Sequence, residues 1–302
     1  MANFIIYTYR YNDDIGGIVV QHKLCHLLNQ HGQKALLWPD YKSLFDRRNP
    51  LKSGLAFLKY FRKSLHKKFT VNPLWDTPVA RYKDLDNAIV VYAEIVEGNP
   101  LKAKNVVRWL LHKPGFHTNK INYGTDEVYF FYLKAYIENI SFDVDTNNVL
   151  YIPNNREETY YQTNFGKRQG SCYIVRKGKG RPIVHDLTDS ILIDGKSHQE
   201  IAQIFNQVEY CYSYDTYTMY SMYAAMCGCI SIVIPEDNVS RDEWLPEAER
   251  GYGIAYGMDD IPYAKKTLPL LQSLLSEAET QTTIEIEHFI ETCLKTFHLS
   301  DK

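Results

Sequence analysis

The sequence predicts an α/β protein built from two Rossmann-like halves. Three observations lead there. Short, continuous apolar runs, of the kind found in strands buried on both faces of a parallel sheet, alternate with segments of helical periodicity. The strand–turn–helix pattern that opens the chain restarts after a seam in the stretch 150–165. At 302 residues, 45% apolar and 23% charged, the chain is large enough for two domains with separate cores.

The first run is Phe4-Ile-Ile-Tyr-Thr-Tyr9. A polar turn from Arg10 to Asp14 and the pair Gly16-Gly17 follow it. Val20, Leu24, Leu27 and Leu28 then share one face of a helix that Gly32 stops. The next strand begins with Ala35-Leu-Leu-Trp38, and further strands are expected at 88–93, 106–111, 128–131 and 149–153. In the second half, 172–176 and 190–194 are expected strands, and Ser197-His-Gln-Glu200 is a capping box opening a helix. A strand at 209–213, a helix at 215–227 ended by Gly228 and a strand at 229–234 closed by Pro235 complete the alternation. Ile286, Phe289, Ile290, Cys293, Leu294 and Phe297 mark an amphipathic C-terminal helix. The expected domains are 1–155 and 156–302.

Composition narrows the function. A net charge of −2 argues against nucleic acid as the main partner. The 24 tyrosines suit sugar-binding clefts and ordinary half-buried surfaces equally. Six scattered cysteines in apolar patterns behave as small hydrophobes, which fits a reduced, cytoplasmic protein better than a disulfide scaffold. Cys227-Gly-Cys229 has no nearby histidine pair, so no metal is expected there. No basic leader and no apolar stretch of roughly 20 residues is visible.

Open α/β sheets bind ligands beyond the carboxyl ends of their strands, so residues just after each strand are the candidates. Asp13-Asp-Ile-Gly-Gly17 follows the first strand. Its glycines allow close backbone approach, and the helix behind them directs its positive end at whatever lies there; a tight structural turn is the alternative. It lacks the GxGxxG spacing of nicotinamide-binding turns. Arg176 and Lys177 follow the first strand of the second half and could neutralise a diphosphate, or form a solvated basic turn together with Lys179 and Arg181. Ser213-Tyr-Asp-Thr-Tyr-Thr218 opens the next helix, with Asp215 as its N-cap and Thr218 at the exposed amide turn, where phosphate oxygens can be held. Met219, Met222 and Met226 read as core packing. Glu94 ends a buried strand and is placed to take a proton from an acceptor hydroxyl. Arg108, inside an apolar strand, requires a carboxylate or phosphate partner, and a structural pair with Glu94 explains both residues equally well.

The stretch from Arg47 to Trp75 holds eight Lys and Arg, no acidic residue, and leucines at near-helical spacing. Arg47–Lys68 is therefore either a basic amphipathic helix resting on an anionic membrane or an exposed helix of its own domain. Asp143-Val-Asp145 and Asp84-Leu-Asp86 match the DxD pattern of metal-dependent glycosyltransferases, a match too short to be used.

Taken together, Asp14-Ile-Gly-Gly17 with its helix, Arg176-Lys177, and the helix–strand unit Tyr223-Ala-Ala-Met-Cys-Gly-Cys-Ile-Ser-Ile-Val-Ile-Pro235 resemble the GT-B superfamily of glycosyltransferases, particularly bacterial capsule and lipopolysaccharide enzymes. The resemblance implies two Rossmann-like domains facing each other across a cleft, with the acceptor on the N-terminal side and a nucleotide-sugar on the other. It also implies a C-terminal helix packing back towards the N-terminal domain. Gly16 and Gly17 would line the cleft. Arg176 and Lys177 would hold the donor diphosphate together with Ser213, Tyr214, Asp215 and Thr218, without metal or cofactor. Relatives carry two glutamates with seven residues between them in the last unit; Thr216 and Ala224 align there, with Asp215 one place off, which leaves ribose recognition open. The implied reaction moves a sugar to a hydroxyl of a glycan or lipid-linked acceptor in the cytoplasm, at the inner face of the cell membrane. Glu94 is the first choice of base and Asp14 the second. A nucleotide-sugar epimerase of the same fold and a non-catalytic glycan-binding subunit are the alternatives.

Overall fold

A computed structural model describes residues 2–13, 15–44, 55, 58, 69–138, 140–154, 156–244 and 251–299. The chain divides into two compact units, Met1–Asn154 with Thr280–Lys302, and Asn155–Glu279.

The first unit holds strands β1 (Asn3–Thr8), β2 (Lys34–Pro39), β3 (Ile89–Ala93), β4 (Asn105–Leu110) and β5 (Glu127–Phe131), with helix α1 (Gly16–Gln30) after β1. They form one sheet in the order β2-β1-β3-β4-β5 with every neighbouring pair parallel. Successive side chains of a strand face opposite sides, and here both sides are covered. Phe4, Ile6, Ala35, Leu37, Ile89 and Val91 pack on one face, together with Leu24 and Leu28 of α1. Ile5, Leu36, Trp38, Val90 and Tyr92 pack on the other. Burial on both faces is why these strands appear as unbroken apolar runs. The expected strand at 149–153 is reduced to a single bridge between Phe131 and Val149. The Tyr132 hydroxyl, donating to Ile152 O at 2.8 Å, and Tyr151 N, donating to Glu285, engage this backbone beyond it.

The second unit holds β6 (Ser171–Ile174), β7 (Ser190–Leu192), β8 (Tyr210–Ser213), β9 (Ile230–Val233) and β10 (Ile254–Tyr256), with α2 (His198–Gln207), α3 (Met219–Met226) and α4 (Arg241–Trp244). Its sheet runs β10-β9-β8-β6-β7, again all parallel. Numbered from β6, this is the same 2-1-3-4-5 order as the first sheet. The chain is thus an α/β protein with two Rossmann-like sheets of identical topology. The three-residue β10, between Gly253 and Gly257, is too short for apolar periodicity to announce it.

The Ser197–Glu200 capping box forms at the start of α2. Helix α3 begins later than the sequence suggests, with Thr218 rather than Asp215 as N-cap. The carbonyls that an earlier start would use are claimed elsewhere: the Ser213 hydroxyl donates to Asp215 O at 2.8 Å and the Trp244 indole to Thr216 O at 3.0 Å. Of the methionines on α3, Met226 is buried while Met219 is half exposed, so the stripe is only partly core. The last helix, α5 (Ile261–Thr296), is far longer than its amphipathic end indicates. Ala264 and Leu271 pack in the second unit, and Ile286, Phe289, Ile290 and Cys293 in the core of the first. That packing, rather than position in the chain, groups residues 280–302 with the first unit. All six cysteines are buried thiols. No described helix is long and apolar enough to cross a membrane. Most of Arg47–Lys68 lies outside the described residues, and so does Asp14.

Candidate functional site

In a 2-1-3-4-5 sheet, connections leave in opposite directions at the junction of the first and third strands, opening a crevice at their carboxyl ends. The first unit carries a cavity of about 690 Å³ at that junction. Tyr9 and Arg10 reach it from the end of β1, Asp40 from β2, Glu94 from β3 and His112 from β4. Helix α1 adds Gly17, Ile18 and Gln21. Among the described residues, no side-chain cap bond closes the N-terminus of α1 and its first turn holds no acidic residue. Neither Gly16 nor Gly17 has a positive φ, and a Cβ on either would make only an ordinary 3.8 Å contact. The protein's own packing therefore does not demand glycine at these positions.

Glu94 is the chemical centre of this cavity. Its side chain is 6% exposed, and burial pushes its carboxyl up to about 7, outweighing the hydrogen bonds and the Arg108 charge that favour the anion. Oε2 accepts from Leu111 N at 3.0 Å. Gln21, also buried, takes the Thr8 hydroxyl on its Oε1 at 2.6 Å, which fixes the carboxamide with its NH2 group as the remaining donor. Burial lowers the neighbouring His22 to about 4, so that ring is neutral at physiological pH.

Arg108 pairs with Glu127, not Glu94. Its guanidinium is fully buried, meets both carboxylate oxygens at 2.8 Å, and donates to the carbonyls of Ala93, Val96 and Gly98. The Tyr92 and Tyr123 rings approach the guanidinium at 5.1 and 4.5 Å, and the Tyr123 hydroxyl donates to Glu94 O. Arg108 thus fastens the turn that carries Glu94.

In the second unit the equivalent junction lies between β6 and β8. Arg176, Lys177 and Gly178 form a tight turn directly after β6. A Cβ on Gly178 would fall 2.1 Å from Tyr214 O, so only glycine lets this turn press on the end of β8. Arg176 and Lys177 are exposed and border a hollow of about 610 Å³ together with Lys179 and Asp194. The Arg176 backbone has φ 38°, an uncommon conformation for arginine, and its guanidinium lies 5.2 Å from the Tyr220 ring centre. Tyr220 N is the group that the Thr218 hydroxyl caps, so Arg176 and Thr218 gather at the N-terminus of α3.

The other residues of this group turn inward. The Ser213 hydroxyl donates to Asp215 O at 2.8 Å, the Tyr214 hydroxyl meets Val184 N and His185 Nδ1, and Asp215 is 4% exposed. Arg181, read from sequence as one more solvated cation, instead forks onto the carbonyls of Tyr214, Ile234 and Pro235 and ties the ends of β8 and β9 together.

Sequence reasoning did not single out Gln21, His112, Glu127, Arg181 or Tyr220. His112 directly follows the expected strand at 106–111, but the other four carry no local signal. Among the described residues, no three His, Cys, Asp or Glu gather as a metal site would require.

No protein-family model matches the chain, and no curated protein matches its sequence. In three dimensions it is similar to a structure described as a UDP-N-acetylglucosamine 2-epimerase from Listeria monocytogenes, at 8% identity and TM-score 0.39, covering 100% of this chain and 98% of that one. It is also similar to a sucrose-phosphate synthase from Thermosynechococcus elongatus, at 9% identity and TM-score 0.33, covering 99% and 98%. The fold assignment stands on the two parallel sheets themselves.

Proposed function

We propose that the chain is a glycosyltransferase that moves a sugar from a nucleotide-sugar to a hydroxyl of a glycan or lipid-linked acceptor, in the synthesis of a bacterial surface polysaccharide. One observation carries this reading: two sheets of the same order bear complementary chemistry at equivalent junctions, a buried carboxyl of raised pKa on one and a pair of exposed cations beside a helix N-terminus on the other. Glycosyl transfer needs both. The departing diphosphate develops charge that Arg176, Lys177 and the amides at the start of α3 are suited to meet, without calling on a metal. The acceptor hydroxyl must lose its proton, and a carboxylate of pKa near 7 is poised for that task at neutral pH. The sequence resemblance to GT-B glycosyltransferases supports the same assignment.

The test is incubation with UDP-, GDP-, dTDP- and CMP-sugars. Binding is read as a rise in thermal midpoint, since a ligand of the folded state stabilises it. Turnover is read as released nucleotide. An Arg176→Ala, Lys177→Ala double variant should weaken donor binding roughly tenfold or more. Release of an epimerised sugar with donor alone, or no response to any nucleotide-sugar, would overturn the assignment.

A further inference from the structure

The loop after β4 presents an aromatic platform beside the cavity. His112 stacks against Phe116 with ring centres 4.3 Å apart and against Tyr136 at 5.1 Å, and His117 stands 5.0 Å from both His112 and Phe116. His112 and His117 line the same cavity as Glu94 and Gln21. The loop has a defined shape: Gly115 has φ 79°, Phe116 N donates to Lys113 O at 3.1 Å, and Asn119 N donates to Gly115 O at 2.7 Å. Yet Phe116 is 64% exposed, a large apolar residue left in the open beside the two cavity-lining histidines rather than folded into a core.

What fits such a site needs an apolar face for the ring and a hydroxyl rim for the polar groups. An acyl chain would cover an apolar face but offer no acceptor to the NH2 group of Gln21, whose Oε1 is already taken by Thr8. A phosphate would meet Arg10 as well as Glu94 and Asp40, so charge alone does not select it, and it would leave the apolar face of Phe116 uncovered. A pyranose offers both surfaces: its C–H face is apolar and its hydroxyls donate and accept. We propose that the acceptor group is an uncharged sugar ring, stacked by its C–H face on Phe116 with hydroxyls directed to His112, Gln21 and Glu94. This rests on the glycosyltransferase reading and selects a glycan terminus over a lipid phosphate as the group that enters the cavity.

Saturation-transfer NMR on the full chain tests it. The probes are methyl β-glucopyranoside, methyl β-galactopyranoside and methyl N-acetyl-β-glucosaminide, with glycerol and inorganic phosphate as comparators. The expected result is transfer to the ring C–H protons of at least one glycoside and to neither comparator. Phe116→Ala should weaken that binding roughly three- to tenfold, while Phe116→Trp keeps it. Because the ring is exposed, thermal midpoints of both variants should match the parent, which separates lost stacking from lost folding. Absence of transfer to all three glycosides, equal binding by Phe116→Ala, or equal transfer to glycerol or phosphate overturns the proposal. Nucleotide-sugar binding is scored in parallel. Donor binding without glycoside binding removes the platform alone. Glycoside binding without donor binding removes the transferase reading and leaves a glycan-binding site.

Discussion

Removing the Arg108 guanidinium should destabilise the first unit by an amount set mainly by what it leaves behind. All five of its N–H groups are directed at acceptors: two bonds to Glu127 at 2.8 Å, and bonds to Gly98 O at 2.8 Å, Val96 O at 2.6 Å and Ala93 O at 3.4 Å. In Arg108→Met the Glu127 carboxylate, 3% exposed, loses its counter-charge, and breaking one side of a buried pair typically costs about 3–5 kcal/mol. Arg108→Lys keeps the charge but not the planar fork, so it should cost less, about 1–3 kcal/mol. Urea unfolding followed by fluorescence can be confined to the first unit in a Trp244→Phe background, because Trp38, Trp75 and Trp109 all lie there. A double-mutant cycle with Glu127→Gln should give a coupling of at least about 2 kcal/mol. Activity should fall in the folded Arg108→Lys variant as well, since the carbonyls it releases flank Glu94. An Arg108→Met variant within about 1 kcal/mol of the parent, or a coupling near zero, would refute the buried fork as the fastening of this turn.

Further outcomes follow from the same geometry. With Glu94 as base, kcat/KM should rise with pH through an apparent pKa of about 7, and Glu94→Gln should remove both the activity and that dependence. The stability effect has the opposite sign. A carboxyl whose folded pKa lies above its unfolded value of 4.5 favours folding only while protonated, so relative to Glu94→Gln the parent should lose about 3 kcal/mol as pH rises from 4 to 8, read by urea unfolding across that range. Gly178→Ala places a methyl group against the Tyr214 backbone and should abolish donor binding or folding of the second unit, whereas Gly16→Ala, which meets nothing closer than 3.8 Å, should leave the thermal midpoint within a few degrees of the parent.

The sequence by itself determined the alternation of strands and helices, because strands buried on both faces must be apolar throughout and helices covering them must be apolar on one side. That is why 4–9, 35–38, 88–93, 106–111 and 209–213 could be read directly, and why Glu94, Arg176 and Lys177 could be chosen as the residues just beyond strand ends. Contacts between segments distant in sequence leave no such periodic trace. Only the tertiary structure decided that Arg108 answers to Glu127, 19 residues away, and that Arg181 serves carbonyls up to 54 residues away. It alone turned Ser213 and Tyr214 inward and moved the helix start from Asp215 to Thr218, since those hydrogen bonds depend on which loops meet at the sheet edge. It also gathered Gln21 and His112, neither singled out in its own segment, around one cavity with Glu94, because a parallel sheet brings the ends of successive strands together whatever the length of chain between them.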